Sequence, residues 1–338
     1  MHIHETDLVI IGAGPVGLFA IFEAGMMGIK CCVIDSLEDV GGQCTALYPE
    51  KPIYDIPGFP KILAADLIEN LKHQAQPFGP LYHMGQQVTS LEKLQDGRFQ
   101  ILTSTGTVMV TKTILIAAGV GAFGPNRPPL EKLEEFEGKS VFYYVKNREA
   151  FRDKKIMIAG GGDSAVDWAI SLSEIAKKVT VVHRRPKFRA APETESQLKK
   201  LADDGIIDLM IPYQLDGLVG NYGALQAVKL QSMDGNTKEI ETDVLLPFYG
   251  LAMDLGPIAE WGLHLNTNHI TINPADCSTN IPGIFAIGDI ATYPHKLKLI
   301  LTGFAEAAQA AHAIRAFLHP GQVYHFEYST TSGVPSFT

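Results

Sequence analysis

Two glycine-rich turns, each directly after an apolar run, restrict what this 338-residue chain can fold into more than any other feature. The first unit reads Leu8-Val-Ile-Ile-Gly12-Ala-Gly14-Pro15-Val-Gly17 and ends, after Cys32-Val-Ile, on Asp35. The second reads Ile156-Met-Ile-Ala-Gly160-Gly161-Gly162-Asp163-Ser164-Ala165 and ends, after Val179-Thr-Val-Val, on His183-Arg184-Arg185. In a strand-turn-helix-strand unit the first glycine makes the tight turn and the second admits a pyrophosphate against the backbone. The third small residue lets helix pack on strand. Orphan N–H groups and the helix dipole then favour an anion at the helix N-terminus.

The ends of the two second strands differ in charge. A carboxylate there accepts hydrogen bonds from a ribose 2'-OH and repels a 2'-phosphate, whereas arginines attract that phosphate. Asp35 in the first unit therefore suits FAD, with Gly12, Gly14, Pro15 and Gly17 as its phosphate turn. Arg184 and Arg185 in the second suit NADPH, with Gly160, Gly162, Asp163, Ser164, His183 and Arg189 around it. A chain holding both is built to pass electrons between nicotinamide and flavin.

Length and an apolar content of 46% with 19% charged residues describe a globular protein of two ordinary domains. The apolar stretch Leu8 to Ile29 carries four turn-forming residues and Glu23 and follows Glu5 and Asp7 rather than a basic flank. It reads as a buried strand and helix, not a membrane span or export signal, and the cytoplasm is the expected location. The four cysteines, Cys31, Cys32, Cys44 and Cys277, contain no C-x-x-C, so a disulfide framework is not expected. His2, His4, His264 and His295 show no ligand pairing, and no metal site is expected. Residues 121–250 hold 18 of the 28 Lys and Arg within an overall charge of -9; no nucleic-acid partner is suggested, and the cations gather where NADPH phosphates must bind.

Along the chain, Gln87-Val88-Thr and Phe99-Gln-Ile-Leu alternate as a hairpin around Asp96-Gly97, and a strand runs from Thr113 to Gly119. The Pro- and Gly-rich stretch from Gly121 to Pro129 marks a domain boundary, and Gly250 to Pro257 marks the return. Ile281-Pro-Gly-Ile-Phe-Ala-Ile-Gly288-Asp289 reads as a strand ending in an acid, followed by a helix from about Gly303 to Leu318. The expected fold class is α/β: two Rossmann-like three-layer dinucleotide-binding domains, the NADPH domain (121–250) inserted into a discontinuous FAD domain (1–120 and 251–338).

Several long motifs carry a resemblance. These are Gly41-Gly42-Gln43-Cys-Thr-Ala-Leu-Tyr48-Pro-Glu-Lys51, Tyr54-Asp-Ile-Pro-Gly-Phe-Pro-Lys-Ile62, Gly161 to Ala169, His183 to Arg189, Ala286-Ile-Gly288-Asp289 and the tail Tyr328-Ser-Thr-Thr-Ser-Gly333. Over essentially its whole length the chain resembles the thioredoxin reductase-like flavoproteins, and within them the bacterial thioredoxin reductase-type ferredoxin-NADP reductases. A thioredoxin reductase carries C-x-x-C near the start of its NADPH domain, where this chain has Val141 to Arg148 without cysteine. A glutathione reductase-like enzyme carries a second cysteine where this chain has Pro49. Without a dithiol, electrons must leave the flavin directly.

The resemblance implies roles. Asp35 holds the adenosine ribose of FAD, Gly42 and Gln43 the region near the ring, Val88 the adenine through backbone, Phe123 the domain crossover, and Asp289 the ribitol and pyrophosphate end. Tyr48 is the aromatic expected on one isoalloxazine face, the alternative being a loop aromatic packed on Leu47 and Pro49. Tyr328 is expected on the other face from the partner subunit of a homodimer, with Phe337 as the substitute, and Thr330 lies between Ser329 and Thr331 near the flavin. Arg184, Arg185 and Arg189 select NADPH. The implied activity is electron transfer between NADPH and ferredoxin through FAD. Flavodoxin, a quinone or oxygen are alternative acceptors, and a non-catalytic FAD/NADPH-binding redox sensor is the reading from another class. Cys44 is either a small core residue or a thiol beside the flavin. Arg148, Arg152, Lys154 and Lys155 form either a docking patch for an acidic carrier or a solvated helix face.

Overall fold

The computed structural model describes residues 3–322 and Gly333, without the side chains of Ala122, Phe123 and Leu251. The chain divides into two compact units, one of Met1–Phe123 with Met253–Thr338 and one of Gly124–Ala252.

The first unit is organised by a seven-stranded sheet. Its order is Leu81–His83, Cys31–Ile34, Ile3–Ile11, Val108–Ile116, Phe99–Thr103, Val88–Lys93, with Ile284–Ala286 also pairing Val108–Ile116. Leu8, Val9 and Ile10 align with Cys31, Cys32 and Val33 on one side and with Thr113, Ile114 and Leu115 on the other, all in parallel register. Strands covered on both faces read as unbroken apolar runs, and Leu8, Val9, Ile10, Ile114, Leu115 and Ile116 are indeed fully buried. The strand foreseen from Thr113 starts at Val108, because its first half pairs antiparallel with Phe99–Thr103 to close the expected hairpin into a meander.

Helices Pro15–Met26, Ala64–Ala75 and Ile300–Leu318 pack on this sheet, the first touching both others. The last begins at Ile300, three residues before the approximate start expected near Gly303. That glycine lies inside the helix because a Cβ on it would overlap Val16 of helix Pro15–Met26, so it marks a close helix crossing rather than an end.

In the second unit four parallel strands run in the order Ile207–Met210, Lys178–Val182, Lys155–Ala159, Val244–Pro247. Met157, Ala159, Val182 and Leu245 turn to one face and cluster with Leu225, Val228 and Leu230 of an antiparallel meander, Tyr213–Asn221, Ala224–Ser232 and Thr237–Glu241. Their alternates Ile156, Ile158, Val179 and Val181 are equally buried on the opposite face, where helix Asp163–Ser173 contacts the sheet and helix Pro192–Asp203. Helix, sheet and meander make the three layers.

Candidate dinucleotide sites

The first glycine turn is a knot of three segments tied at Ala13. Its N–H donates to Asp35 Oδ2 at 2.6 Å and its carbonyl accepts from the Gly41 N–H at 2.8 Å. Gly12 has φ +110°, and a Cβ there would overlap the Ala117 carbonyl, so the strand end and the Ala117–Gly119 turn approach as only glycine allows. A Cβ on Gly17 would likewise overlap the Gly12 carbonyl, which is the helix-on-strand contact required of the third glycine. At Gly14 a Cβ would meet nothing within 4 Å. That residue caps helix Pro15–Met26 without any side-chain bond, and no acid sits in the helix's first turn. An uncompensated helix N-terminus facing open space over a bare glycine fits a pyrophosphate.

Asp35 is oriented by backbone: Leu37 N–H donates to Oδ1 at 2.8 Å while Ala13 holds Oδ2. Burial pushes its carboxyl above the ordinary aspartate value, and the N–H groups of Ala13, Leu37 and Ser36 pull it back. Each oxygen keeps lone-pair capacity for a sugar hydroxyl. The Asp35 carbonyl accepts from Gln86 N–H at 2.9 Å, which brings the buried Val88, two residues on, to the same end of the sheet. Gly42 caps the short helix Gln43–Ala46, and its Cβ position lies 3.1 Å from Gly14 Cα. The Gln43 amide nitrogen is 3.8 Å from the Cβ position of Gly119. Gly12, Gly14, Pro15, Gly17, Asp35, Gly42 and Gln43 thus surround one cradle.

Tyr48 stands at its far side, half-buried, and burial raises its hydroxyl pKa well above the usual value. It hydrogen-bonds the Cys44 thiol and feels the charge of Asp289, while Lys51 Nζ lies 5.7 Å from its ring centre. Cys44 itself is buried, and desolvation lifts its pKa to about 11, so it rests as a neutral thiol. Phe123 lies in strand Ala122–Pro125 at the crossing between units. Tyr328, Ser329, Thr330, Thr331 and Phe337 lie outside the described residues.

Around the second turn, Gly160 N–H donates to Val182 O at 3.0 Å, and a Cβ on Gly162 would again meet nothing within 4 Å. Gly162 caps helix Asp163–Ser173 without a side-chain bond, so this cradle too fits a pyrophosphate. Two bonds latch the following arginine loop onto it: Arg189 N–H to Gly161 O at 2.6 Å and Ala191 N–H to Asp163 Oδ1 at 2.9 Å. Asp163, expected beside the nucleotide, therefore has a tethering task. Ser164 is exposed at the helix start.

His183 stacks on the buried Phe188 with ring centres 5.2 Å apart, and its Nε2 lies 3.2 Å from Lys187 O. A carbonyl partner requires the proton on Nε2. Desolvation lowers the pKa of His183, helped by Arg185, Arg184 and Arg189, while the bond to Lys187 opposes, so the ring is held neutral. Arg184, Arg185 and Arg189 are exposed and form no ion pair among the described residues. Tyr249, absent from the sequence reading, lies close enough to Arg184 to feel its charge.

The helix face drawn from Arg148, Arg152, Lys154 and Lys155 does not form. Arg148 opens a 3₁₀ turn and pairs with Glu174 at 2.6 Å, Arg152 pairs with Glu149 at 2.6 Å, and Lys155 starts a strand and pairs with Glu241. Three of the four are thereby paired with carboxylates, Glu149 from the same turn and Glu174 and Glu241 from distant segments. All four cysteines are unpaired. No cluster of potential metal ligands occurs among the described residues, and no helix is long and apolar enough to cross a membrane.

Sequence comparison matches residues 6–314 to the pyridine nucleotide-disulphide oxidoreductase family. The chain is 62% identical over 332 residues to a ferredoxin–NADP reductase of Paramagnetospirillum magneticum, covering 98% of each. It is 58% identical to that of Rhodospirillum rubrum, covering 98% of this chain and 97% of the relative. The fold is similar to Lactococcus lactis thioredoxin reductase in its FR conformation, with TM-score 0.81 and 26% identity over 93% of this chain and 99% of that one. The thioredoxin reductase of T. acidophilum matches with the same TM-score and identity over 93% and 98%. With both nucleotide cradles in place and this match spanning both units, the chain belongs to the pyridine nucleotide-disulphide oxidoreductase family.

Proposed function

We propose that this chain is a ferredoxin–NADP reductase, transferring electrons between NADPH and ferredoxin with FAD held at the first cradle and NADPH at the second. One observation carries the reading. Two cradles of the same geometry end their second strands on opposite charge, the backbone-oriented carboxylate of Asp35 and the exposed guanidinium groups of Arg184, Arg185 and Arg189. Asp35 accepts from an unphosphorylated ribose, and the arginines bind a 2'-phosphate. The ferredoxin partner is supported by the near-full-length identity to curated relatives of that name.

Bound FAD would supply the chemistry, taking up one hydride, that is two electrons, and passing them on singly. The chain's own residues bind and orient: the amides following Gly14 and Gly162 hold pyrophosphates, Asp289 and Gln43 address the flavin end, and Val88 offers its backbone to the adenine. Tyr48 supplies one stacking wall, the other is assigned to Tyr328 reaching across from the second subunit of a homodimer, and Thr330 is assigned a place near the flavin. Burial keeps the Cys44 thiol protonated, which suppresses thiolate exchange as an exit route. We assign the protein to the cytoplasm, in keeping with four unpaired cysteines, and to a homodimer, which light scattering checks.

The test is an anaerobic titration with NADPH followed by cytochrome c reduction with and without ferredoxin. Bleaching of the flavin absorbance and ferredoxin-dependent turnover are expected. Bleaching with turnover on flavodoxin or quinone only would reassign the acceptor. No bleaching at all would leave a nucleotide-binding sensor.

A further inference from the structure

Helix Ile300–Leu318 buries Gly303, Ala307, Ala310, Ala311 and Ile314, and in the middle of that apolar stripe it also buries Glu306. Lys296 Nζ sits 2.7 Å from Glu306 Oε1, with side chains only 5% and 3% exposed. A buried ion pair contributes little net stability compared with apolar packing, because desolvating two charges offsets their attraction. Its presence calls for a task that apolar residues cannot perform.

The task is visible at Gly288. Its N–H donates to Glu306 Oε2 at 2.7 Å and its carbonyl accepts from Lys296 Nζ at 2.7 Å, so the ion pair grips both polar groups of one residue. Tyr293 completes the cluster, its hydroxyl donating to Glu306 Oε1 at 2.9 Å while Lys296 Nζ lies 5.2 Å from its ring centre. Burial and the neighbouring carboxylate push that hydroxyl up to about 12, so it remains a donor. His295, just before Lys296, adopts φ +63°, an uncommon conformation for a side-chain-bearing residue. Gly288 has φ +71° and opens the 3₁₀ turn Gly288–Ile290, in which Asp289 stands half-buried within electrostatic reach of Tyr48.

We propose that Lys296, Glu306 and Tyr293 form a buried clamp on the Gly288 backbone that positions Asp289 for the ribitol end of FAD. They are positioning residues for flavin retention, a role that rests on the assignment of FAD to this unit. None of the three falls in a motif that marks nucleotide binding. The clamp acts through the backbone: once Gly288 is released, Asp289 keeps its charge but loses its fixed place.

The test separates positioning from folding by measuring two quantities on the full-length protein: FAD dissociation constant by flavin fluorescence and melting temperature of the FAD-stripped chain. Lys296→Met leaves Glu306 buried without its counter-ion and lowers both melting temperature and FAD affinity. Lys296→Met with Glu306→Gln removes the unpaired charge and restores melting temperature, but the Gly288 carbonyl still lacks its donor, so FAD stays about tenfold or more weaker than in the wild type. Tyr293→Phe folds normally, weakens FAD roughly threefold and alters the circular dichroism of the bound flavin. Recovery of FAD affinity along with melting temperature in the double variant overturns the proposal. If the lysine variants do not fold, unchanged FAD affinity and flavin circular dichroism in Tyr293→Phe overturn it. A wild-type chain that melts normally but takes up no FAD would instead refute the cofactor assignment itself.

Discussion

Gly161 and His183 interlock: a Cβ on Gly161 would overlap the imidazole that stacks on Phe188 and bonds to the Lys187 carbonyl. The middle glycine of the second turn is therefore a seat for the residue that precedes the arginine pair. Gly161→Ala should displace His183 and strain the Arg189 N–H bond to Gly161 O, moving the whole loop. The KM for NADPH is expected to rise about tenfold, equivalent to ~1.4 kcal/mol, with FAD content unchanged. Steady-state kinetics with flavin quantified by absorbance checks both halves.

Removing the cations directly should change cofactor preference. Arg184→Ala combined with Arg185→Ala deletes charge-assisted bonds worth roughly 1.5–3 kcal/mol each, so the KM for NADPH should rise about tenfold or more while NADH changes little. An unaltered NADPH-to-NADH ratio of kcat/KM would sink the assignment of this loop to the 2'-phosphate.

Asp35→Ala takes the acceptor away from the Ala13 and Leu37 N–H groups as well as from the ribose. FAD affinity is expected to fall on the order of 10- to 100-fold, measured by ultrafiltration and fluorescence, because a bidentate carboxylate acceptor and the shape of the turn are lost together. NADPH binding, followed by calorimetry, should stay within about twofold, since its cradle is built in the other compact unit.

Cys44 offers a pH-dependent test. Its folded pKa, about 11, lies above the ordinary thiol value of 9.0, so the buried neutral form stabilises the fold fully below pH 9.0. That contribution declines as pH rises from 9.0 through about 11, where the folded protein must ionise a buried thiol. Cys44→Ser should flatten the loss of thermal stability across this window. The same variant should retain ferredoxin reduction, as a packing residue would; abolished turnover with FAD still bound would make the thiol a redox participant.

Motifs whose partners are near in sequence were readable before the fold was known. Both glycine turns, their following helices and the charged ends of their second strands fall within segments of some two dozen residues. Regular spacing of turn, helix and strand dictates the geometry there. The hairpin around Asp96-Gly97 was legible for the same reason, whereas the strand expected to run to Asp289 stops at Ala286 and Asp289 lies in the 3₁₀ turn Gly288–Ile290. What Gly303 does inside its helix was not legible, because the side chain it makes room for, Val16, is far away in the chain.

Local spacing by itself determined that the chain would present two anion-binding turns with opposite charges at their sugar ends. Tertiary structure alone decided what holds those turns in working shape. Asp35 is aimed by Ala13, His183 is seated on Gly161, and Gly288 is gripped by Lys296 and Glu306. Arg148 and Lys155, grouped in the sequence, end up paired with Glu174 and Glu241 from distant segments. The physical reason is range: backbone conformation follows from neighbours a few residues apart, whereas burying a charge or satisfying a peptide group depends on which distant segment the packed core brings beside it.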